Sequence, residues 1–515
     1  MTPETAVRRR AHAAQPEWGR LSGRLVLVNL SILASPAALF ALSLALGGGE
    51  TNLQVLITLG SLFLTFLVVS GIGLMRLATT RYRVTDDRVE LHSGRFFRSE
   101  RSIPLDRIRS VDLTANPLHR LFGLTTLRIG TGEQSAAGGR ALALEGIRTT
   151  DAVELRRQII ERRDAGRGAA PVRQDGPISE LDWSWLRYGP LSVWGVGGVF
   201  VVAGSLYRTL REMKVDPLEL GVVKDLEHRF GSVPLWYGLL VAAAVVVVLG
   251  IAGSTGAFIE SWSGYRLERA EGGMFRIRRG LLVTRSVSIE ARRLRGVELI
   301  EPIPLRWAKG AKLHAVASGL GNQEDNRRRR VLTPPTPRDE ARRVAADVLV
   351  DHPALTERAG LTAHPRAALR RRISRAVTAT ALIAAVPVGL GLWLGPTLVT
   401  AGWITAAVLL PLLLAFAYDA YRALGHGLRG RYLVASSGTF ARRTVALQRD
   451  GIIGWKISRA PFQRRAGLLT LGATTAAGDG VYKVRDVPVT EGLMLAEGAV
   501  PQLLAPFIER APDRG

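Results

Sequence analysis

Residues 81–94 read RYRVTDDRVELHSG, and this stretch decides the fold of the polar part of the chain. Apolar residues occupy every second position on either side of a central Asp-Asp pair, at Tyr82, Val84, Val89 and Leu91. This period of two is that of half-buried β-strands, and an Asp-Asp pair favours a turn between them. The stretch therefore predicts a β-hairpin that ends at a second turn around Gly94.

The landmarks around this hairpin occur three times along the chain. An aromatic residue opens each copy, at Tyr82, Tyr265 and Tyr432. A glycine follows at a predicted strand-joining turn, at Gly94, Gly280 and Gly438. A Pro-centred element with Pro and Gly six apart comes 23 or 24 residues later, beginning at Pro117, Pro304 and Pro461. Agreement of three landmarks in three copies indicates an internal repeat.

Each copy is predicted to be a small β-barrel or sandwich of six or seven strands closed by a helix. Charged amphipathic helices are predicted at the ends of the first two copies, at Asp151–Arg163 and Pro337–Val350. The third copy is predicted to end with a shorter apolar segment, Gln502–Glu509. Only five residues separate Tyr432 from Gly438, which predicts a truncated first hairpin in that copy.

Six stretches without Asp, Glu, Lys or Arg are long enough for a helix to cross a bilayer, which takes about 20 residues. They are Leu25–Leu46, Leu53–Met75, Tyr188–Tyr207, Val233–Ile259, Ala376–Gly395 and Pro396–Tyr418. The alternative, buried helices in one large soluble core, is disfavoured because six such runs occur in a single chain. The runs form three hairpins, each of which precedes one copy of the repeat.

Arginine is concentrated on one side of these predicted spans. Several arginines precede the first run and follow the second, whereas the loop at 47–52 between them has no base. The same bias surrounds the third hairpin. The positive-inside rule then predicts a multi-pass protein of the plasma (inner) membrane, with the N-terminus, the C-terminus and all three copies in the cytoplasm.

The motifs of the first copy resemble a known family. Tyr82–Val89, Ser93-Gly94, Ile103–Ile108 and Pro117–Gly123 resemble the bacterial pleckstrin-homology-like (PH-like) domain of the YdbS type. Three copies behind paired spans are similar to YdbT-type membrane proteins. The resemblance implies an α+β membrane protein with six transmembrane helices in three hairpins. Each hairpin is followed by a PH-like barrel or sandwich capped by a C-terminal helix.

The predicted boundaries follow from the repeat. Residues 1–24 form a basic cytoplasmic N-terminus, and 164–187 and 352–375 are linkers. The hairpins are 25–77, 188–260 with an external loop at 208–232, and 376–421. The PH-like domains are 80–163, 264–351 and 428–510.

No residue set points to catalysis. Cysteine is absent, and the eight histidines are scattered without the spacing of metal ligands. Neither a phosphate-binding loop nor a Ser/His/acid set has recognisable context, so we expect no enzyme, cofactor or metal. A transporter or exporter of an apolar solute or peptide stays open, because the runs lack the ionisable groups that a coupled pump would need.

Basic residues suggest interaction sites instead. Each predicted domain carries net positive charge, which would attract anionic lipid headgroups, although positive-inside bias alone would also make such domains basic. The candidates in a predicted flexible basic loop are Arg327, Arg328, Arg329 and Arg330. Those in the Pro-centred elements are Arg306, Trp307, Arg464 and Arg465, which either face a partner or belong to elements that plug the barrels.

The sequence thus predicts a membrane-fixed binding or scaffold module, with an anionic-lipid sensor as an alternative. The possible partners are the membrane, anionic lipids and another membrane protein of the same domain family. Nucleic acid is not expected, because the basic loop lacks stacking aromatics. The resemblance further implies a role in envelope homeostasis or in resistance to membrane-active agents.

Overall fold

The computed structural model describes residues 18–28, 31, 53–93, 99–108, 110–130, 142–165, 176–191, 204, 208, 235–270, 273–318, 329–350, 353–504 and 506. The chain forms two compact units, Met1–Glu290 and Ala291–Gly515. Each unit has its own antiparallel sheets and is described separately.

The first unit contains eleven strands within the described ranges. They are β1 (Gly19–Arg20), β2 (Arg81–Val84), β3 (Arg88–Ser93), β4 (Ser99–Pro104), β5 (Ser110–Ala115), β6 (Leu124–Gly130), β7 (Leu142–Arg148), β8 (Pro177–Glu180), β9 (Arg266–Ala270), β10 (Met274–Arg279) and β11 (Thr284–Glu290). Its helices are α1 (Leu53–Thr79), α2 (Pro117–Leu121), α3 (Thr149–Ala165) and α4 (Leu235–Trp262). One sheet has the order β1-β2-β3-β4, and a larger one has the order β7-β6-β5-β11-β10-β9-β8.

The second unit has nine strands in the part of the chain that the structure describes. They are β12 (Leu294–Pro302), β13 (Gly310–Ala317), β14 (Thr336–Pro337), β15 (Gly425–Arg429), β16 (Tyr432–Ser437), β17 (Ala441–Gln448), β18 (Gly454–Ser458), β19 (Leu468–Thr474) and β20 (Val481–Pro488). Its helices are α5 (Ile303–Trp307), α6 (Arg338–Leu349), α7 (Arg366–Leu394), α8 (Pro396–Arg422), α9 (Pro461–Arg465) and α10 (Val489–Ala499). The sheet orders are β14-β13-β12-β17-β16-β15 and β18-β19-β20.

Each unit has an apolar core of residues from alternating strand positions. In the first unit, the strands of copy one and helix α3 bury one such cluster, including Val89, Ile108, Leu127 and Ile159. In the second unit, copy three and helix α10 form another, including Leu433, Leu471 and Ala496. The alternation at Val89 and Leu91 arises because successive side chains of a strand point to opposite faces.

Strand pairing defines which positions of the copies are equivalent. Each copy has six strands, namely β2–β7, β9–β14 and β15–β20. The second and third strands pair at Arg88↔Pro104, Met274↔Glu290 and Tyr432↔Gln448. Gly94, Gly280 and Gly438 each follow the first member of these pairs by six residues. The three glycines therefore occupy equivalent sequence positions in the three copies.

The predicted equivalence of the three tyrosines Tyr82, Tyr265 and Tyr432 is wrong. Tyr82 lies in the first strand of its copy, Tyr265 precedes one, and Tyr432 lies in a second strand. The first hairpin of copy three is therefore not truncated. It is β15–β16, which begins at Gly425 rather than at the expected domain boundary of 428. The five-residue spacing misled the prediction because it was measured from the wrong strand.

The Pro-centred elements are single-turn helices that join the fourth and fifth strands. Pro117 and Pro461 are the first residues of α2 and α9, where the missing N–H of proline costs nothing. Pro304 is instead the second residue of α5, so the equivalent of Pro117 is Ile303. Lys309, with a φ of 57°, is therefore the counterpart of Gly123 and Gly467, whose φ values are 67° and 66°.

A C-terminal helix closes every copy through one repeated hydrogen bond. The first residues of α3, α6 and α10 donate their N–H groups to the carbonyls of the three left-handed residues, at 3.0, 2.9 and 3.3 Å. The helix that closes copy three is therefore Val489–Ala499 rather than Gln502–Glu509, the segment expected from the sequence. Residues 505 and 507–509 of that expected segment lie outside the described residues. Residues 500–504 lie beyond that helix as turns.

The described residues include three helices that are long and apolar enough to cross a membrane, in α4, α7 and α8. A shorter apolar segment lies in α1 at Phe63–Thr79. The predicted spans Leu25–Leu46 and Tyr188–Tyr207 fall largely outside the described residues, so six spans remain a prediction. Helix α7 begins at Arg366, ten residues before the predicted border, because its basic first turns continue the helix.

The expected linkers also contain secondary structure. Strand β8 lies within 164–187 and pairs with β9, as β1 of the N-terminal segment pairs with β2. In copy three, an isolated β-bridge joins Thr362 to His426 at the position equivalent to these two strand pairings. The structural repeat therefore begins before each hairpin rather than after it.

Candidate functional site

Successive copies are joined through shared sheets. In the first unit, the third strand of copy two (β11) pairs with the fourth strand of copy one (β5), which we call the first junction. In the second unit, β17 of copy three pairs with β12 of copy two, the second junction. Ser286 lies opposite Leu113 in the first, and Thr444 lies opposite Leu299 in the second. These are equivalent positions, so both junctions have the same register.

A buried acid on the fourth strand contacts the next copy in both junctions. The N–H of Ser288 donates to Asp112 Oδ1 at 3.3 Å, and Arg443 Nη1 lies 3.1 Å from Glu298 Oε1. Asp112 and Glu298 occupy equivalent positions. Burial raises the pKa of the Glu298 carboxyl, and Arg443 offsets part of that rise. Such acids would be costly to bury without the partner strand.

The fourth residue of each Pro-centred helix is an arginine. In the first unit, Arg120 donates to the carbonyl of Leu281 in the turn that precedes β11. In the second unit, Arg306 Nη2 lies 3.1 Å from Asp419 Oδ2 at the end of α8. Arg442 of β17 holds the other carboxylate oxygen at 3.2 Å. The end of a membrane helix is thereby fixed to two copies.

A basic cleft of about 730 Å³ lies over the first junction. Helix α3 and strands β5 and β6 of copy one form one side, and β9–β11 of copy two form the other. Seven arginines and two glutamates line it: Arg120, Arg156, Arg157, Arg266, Arg269, Arg276, Arg278, Glu161 and Glu268. This excess of positive charge suits an anion.

Two arginines determine the chemistry of this basic cleft. Arg156 is buried and donates to Ser286 Oγ at 3.1 Å. Burial lowers its pKa to about 10, and the nearby Arg276 adds to that effect. Arg276 pairs with Glu268 at 3.2 Å, while its Nε is buried without a hydrogen-bond partner among the described residues. An anion bound here would relieve the repulsion between the two cations.

A second polar cluster lies in the second unit, beneath the third membrane hairpin. Asp486 is buried, has a φ of 59°, and pairs with Arg371 and with Arg372 at 2.8 Å. Gln463 of α9 also donates to it at 2.9 Å. The base of α7 is thereby joined to the last strand and the Pro-centred helix of copy three.

Two buried histidines belong to the same cluster. The rings of His364 and His426 meet edge to face, with centroids 4.9 Å apart. His426 Nε2 lies 3.3 Å from Glu491 Oε1. Burial lowers the pKa of His364 to about 3, with His426 and Arg372 adding to the effect. Within the described ranges, no group of three or more His, Asp or Glu residues could hold a metal ion.

The expected flexible basic loop is buried and held by an ion pair at Arg330. This side chain is buried, and its Nη1 lies 2.6 Å from Asp479 Oδ1 of copy three. Thr333 and Thr336 are also buried. That part of the prediction is wrong, because an acid 149 residues away neutralises Arg330. Arg327 and Arg328 lie outside the described residues, and Arg329 is part of the described chain.

The candidates in the Pro-centred elements have different environments. Arg306 is an internal ion-pair partner, whereas Arg464 and Arg465 are exposed. The Trp307 and Phe462 side chains are 77% and 71% exposed, so neither plugs a barrel, while Leu305 is buried. Of the turn glycines, Gly280 and Gly438 have φ values of 108° and 116°, and Gly94 lies outside the described residues.

The sequence reading missed Asp112, Glu298, Asp419 and the cluster around Asp486. A signal for Asp419 was present, because it lies six residues before the first strand of its copy, as Glu260 does before β9. Met75 of α1 stands at the corresponding position before β2. The other acids carry no such mark, because their partners belong to distant strands.

Comparison with known proteins finds a family model and a relative that are similar to this chain. A family model described as the bacterial PH domain matches residues 34–163 and 379–497. Two segments of the chain are therefore similar to the bacterial PH domain. It is also 22% identical over 447 residues to the UPF0699 transmembrane protein YdbT of Bacillus subtilis (strain 168), which covers 84% of this chain and 86% of that protein. No solved structure matches.

These matches confirm the resemblance found in the sequence. Each matched segment begins in a predicted membrane hairpin and ends in the C-terminal helix of a copy, so hairpin and domain are matched together. With the apolar helices, they identify a bacterial membrane protein with PH-like domains.

Proposed function

We propose that this protein is a non-enzymatic, membrane-fixed scaffold whose PH-like copies are coupled through shared sheets. The observation that carries the proposal is the common register of the two junctions. A chance contact between neighbouring domains would not repeat the same residue pairing. The cytoplasmic orientation of the copies is part of this proposal.

The membrane helices contribute directly to this coupling. Asp419 ties α8 to copy two through Arg306 and to copy three through Arg442. A displacement of α8 would therefore change the environment of the second junction. This connection suits a protein that links the state of the membrane to partners bound by its domains, as in envelope homeostasis or resistance to membrane-active agents.

A charge swap across the second junction tests the scaffold. Glu298→Lys places a cation against Arg443, and the double variant Glu298→Lys/Arg443→Glu restores an opposite pair. We expect a deletion strain of the source bacterium to be sensitive to membrane-active peptides and to regain resistance with the wild type and the double variant. Glu298→Lys should not complement at equal membrane level, since it splits the junction. Full complementation by this variant would contradict the proposal.

The same assay addresses the transporter alternative. A transporter would lose function when its apolar spans are altered and keep it when the second junction is weakened. Substitution of Trp403, an exposed residue on α8, by Ala provides the span variant. Loss of resistance with Trp403→Ala and full resistance with Glu298→Lys would favour transport.

The basic cleft supports a second candidate function, the binding of an anionic lipid headgroup. Seven arginines against two glutamates and the unpartnered Nε of Arg276 favour it. We expect the full chain in nanodiscs to be stabilised more by phosphatidylglycerol than by phosphatidylcholine. Arg276→Gln/Arg278→Gln should reduce the difference, and Arg485→Gln, at an exposed site on β20, should leave it unchanged. Equal stabilisation of all three proteins by phosphatidylglycerol would exclude the basic cleft as the lipid-binding site.

A further inference from the structure

We propose that the open edge of β18 in copy three docks the third strand of a PH-like domain on a separate polypeptide, with an acid of that strand facing Lys456. The proposal rests on the scaffold function and names its partner. The two junctions within the chain provide the template.

Strand β18 is the third member of a repeated position. Its equivalents β5 and β12 are each covered by the third strand of the following copy. Strand β18 is the edge of its sheet, and in the described part of the chain it pairs with β19 alone. An uncovered edge presents a row of backbone groups that can pair with another strand.

The side chains around this edge match the covered positions but are exposed. Leu299 in the second junction is 1% exposed, whereas its equivalent Ile457 is 43% exposed. Ile453 and Phe462 beside it are 64% and 71% exposed. Arg464 is the equivalent of Arg120, which reaches Leu281 of copy two, and of Arg306, which reaches Asp419 at the end of α8. The edge therefore has the apolar side chains and the arginine of a junction, and no strand covers it among the described residues.

Charge indicates the chemistry of the partner. Asp112 and Glu298 occupy the same position on the fourth strand, and Glu298 faces Arg443 of the next copy. The third equivalent is Lys456, which is exposed and has the opposite sign. A partner strand that follows the same register would need an acid where Arg443 stands. Cross-strand pairs of opposite charge stabilise a sheet, and like charges destabilise it.

A second copy of this chain fits the edge poorly. Its uncovered third strand would be β4, in which Glu100 is equivalent to the buried Ser286 and Thr444. Placed in the junction register, Glu100 would lie opposite Ile457, and Arg101 would lie opposite Lys456. One carboxylate would be buried and two cations would be opposed. The structure therefore favours a different polypeptide.

The probe is a peptide of residues 438–449, the strand that covers β12, carrying Arg443→Glu. The unmodified peptide is its matched control. The full chain in nanodiscs should bind the acidic peptide up to about five-fold more tightly, as expected for one exposed ion pair. Lys456→Glu should reverse this preference, which assigns binding to β18 rather than to invasion of the second junction. Equal affinities in all four combinations, or no binding, would overturn the docking edge.

Because the chain lacks cysteine, the register can be tested by disulfide formation. Ala441 lies opposite Pro302 in the second junction, and the equivalent of Pro302 in copy three is Ala460. An Ala460→Cys chain should therefore cross-link to an acidic peptide with Ala441→Cys faster than to one with Phe440→Cys. Equal rates would show that the junction register is not used.

Three further outcomes identify which part of the proposal fails, the separate partner, the docking edge or the scaffold function. If the purified chain forms oligomers and Lys456→Glu dissociates them, a second copy of this chain covers β18. That result would overturn the proposal of a partner on a separate polypeptide. If the Glu298/Arg443 swap behaves as expected while no peptide binds, the docking edge fails and the scaffold stands. If Glu298→Lys complements fully while the peptide preference holds, the edge is a binding site and the scaffold fails.

Discussion

At the scale of single residues, a few backbone positions fix the connections of each copy. Gly280 and Gly438 have positive φ in the turn between the second and third strands. A Cβ added at either would lie 2.0 or 2.1 Å from the carbonyl oxygen three residues later. Both the φ value and the close carbonyl require glycine.

We expect Gly280→Ala and Gly438→Ala to lower the free energy of unfolding by at least about 1–3 kcal/mol, because the backbone must shift to relieve each clash. Thermal unfolding of the full chain in detergent measures the effect. Gly389→Ala in α7 is the control, since a Cβ there has nothing within 4 Å. Unchanged unfolding of both turn variants would contradict the assignment.

The buried His364 predicts a pH dependence of the second unit. Burial lowers its pKa to about 3, so it stays neutral in the fold, whereas the unfolded chain takes up a proton near the ordinary value of 6.5. Its contribution to stability is thus complete above pH 6.5 and is lost as pH falls. Between pH 7 and pH 5 we expect a loss of about 1–2 kcal/mol.

His364→Gln should reduce this loss, and His92→Gln in copy one is the matched control. Unfolding of the full chain at several pH values measures both slopes. A His364→Gln protein with the wild-type slope would show that another group is responsible.

At the scale of elements, the Pro-centred helices connect each copy to the next. They are only one turn long, yet Arg120 at the fourth position reaches copy two and Arg306 reaches the helix that precedes copy three. Asp419 receives the second of these arginines at the end of α8.

Asp419→Asn should destabilise the second unit by about 1–3 kcal/mol, since Arg306 and Arg442 would keep their burial and lose their counter-charge. Hydrogen exchange should rise in α5 and β17. Asp450→Asn at an exposed site is the control. Protection of α5 equal to that of the wild type would show that Asp419 does not hold it.

At the scale of the whole molecule, the sequence copy differs from the structural unit. Copy two contributes β9–β11 to the first unit and β12–β14 to the second. A fragment of residues 264–351 would uncover the junction edges of β11 and β12 together. We expect this fragment to aggregate or remain unfolded, as judged by circular dichroism and sedimentation. A monomeric, cooperatively unfolding fragment would contradict the shared-sheet arrangement.

The orientation of the copies can be tested in the intact membrane. Single cysteines and an impermeant thiol reagent suffice, because the natural chain has none. We expect labelling from outside at Gly48, Leu220 and Pro396, and protection at Arg120, Leu320 and Ala460. Residues 120 and 320 on opposite sides of the membrane would refute three copies on one face.

Local sequence patterns determined much of this protein. Alternating apolar residues gave the strands of copy one, and charge-free runs indicated the four long helices that the structure describes. Gly280 and Gly438 were aligned correctly, because a position of positive φ leaves a direct mark on the choice of residue. The aromatic alignment failed because Tyr82, Tyr265 and Tyr432 lie in apolar segments that any first or second strand could supply.

Only the tertiary structure decided which strands meet across copies. Strand β5 pairs with a strand more than 150 residues later, and such pairing uses backbone groups that every residue carries. The sequence also could not reveal that Arg330 is neutralised by Asp479 or that Glu298 faces Arg443, because these partners lie 149 and 145 residues apart in the chain. The strands could be predicted because their apolar side chains alternate with a period of two. The junctions depend instead on which sheet edges the folded copies leave open for pairing.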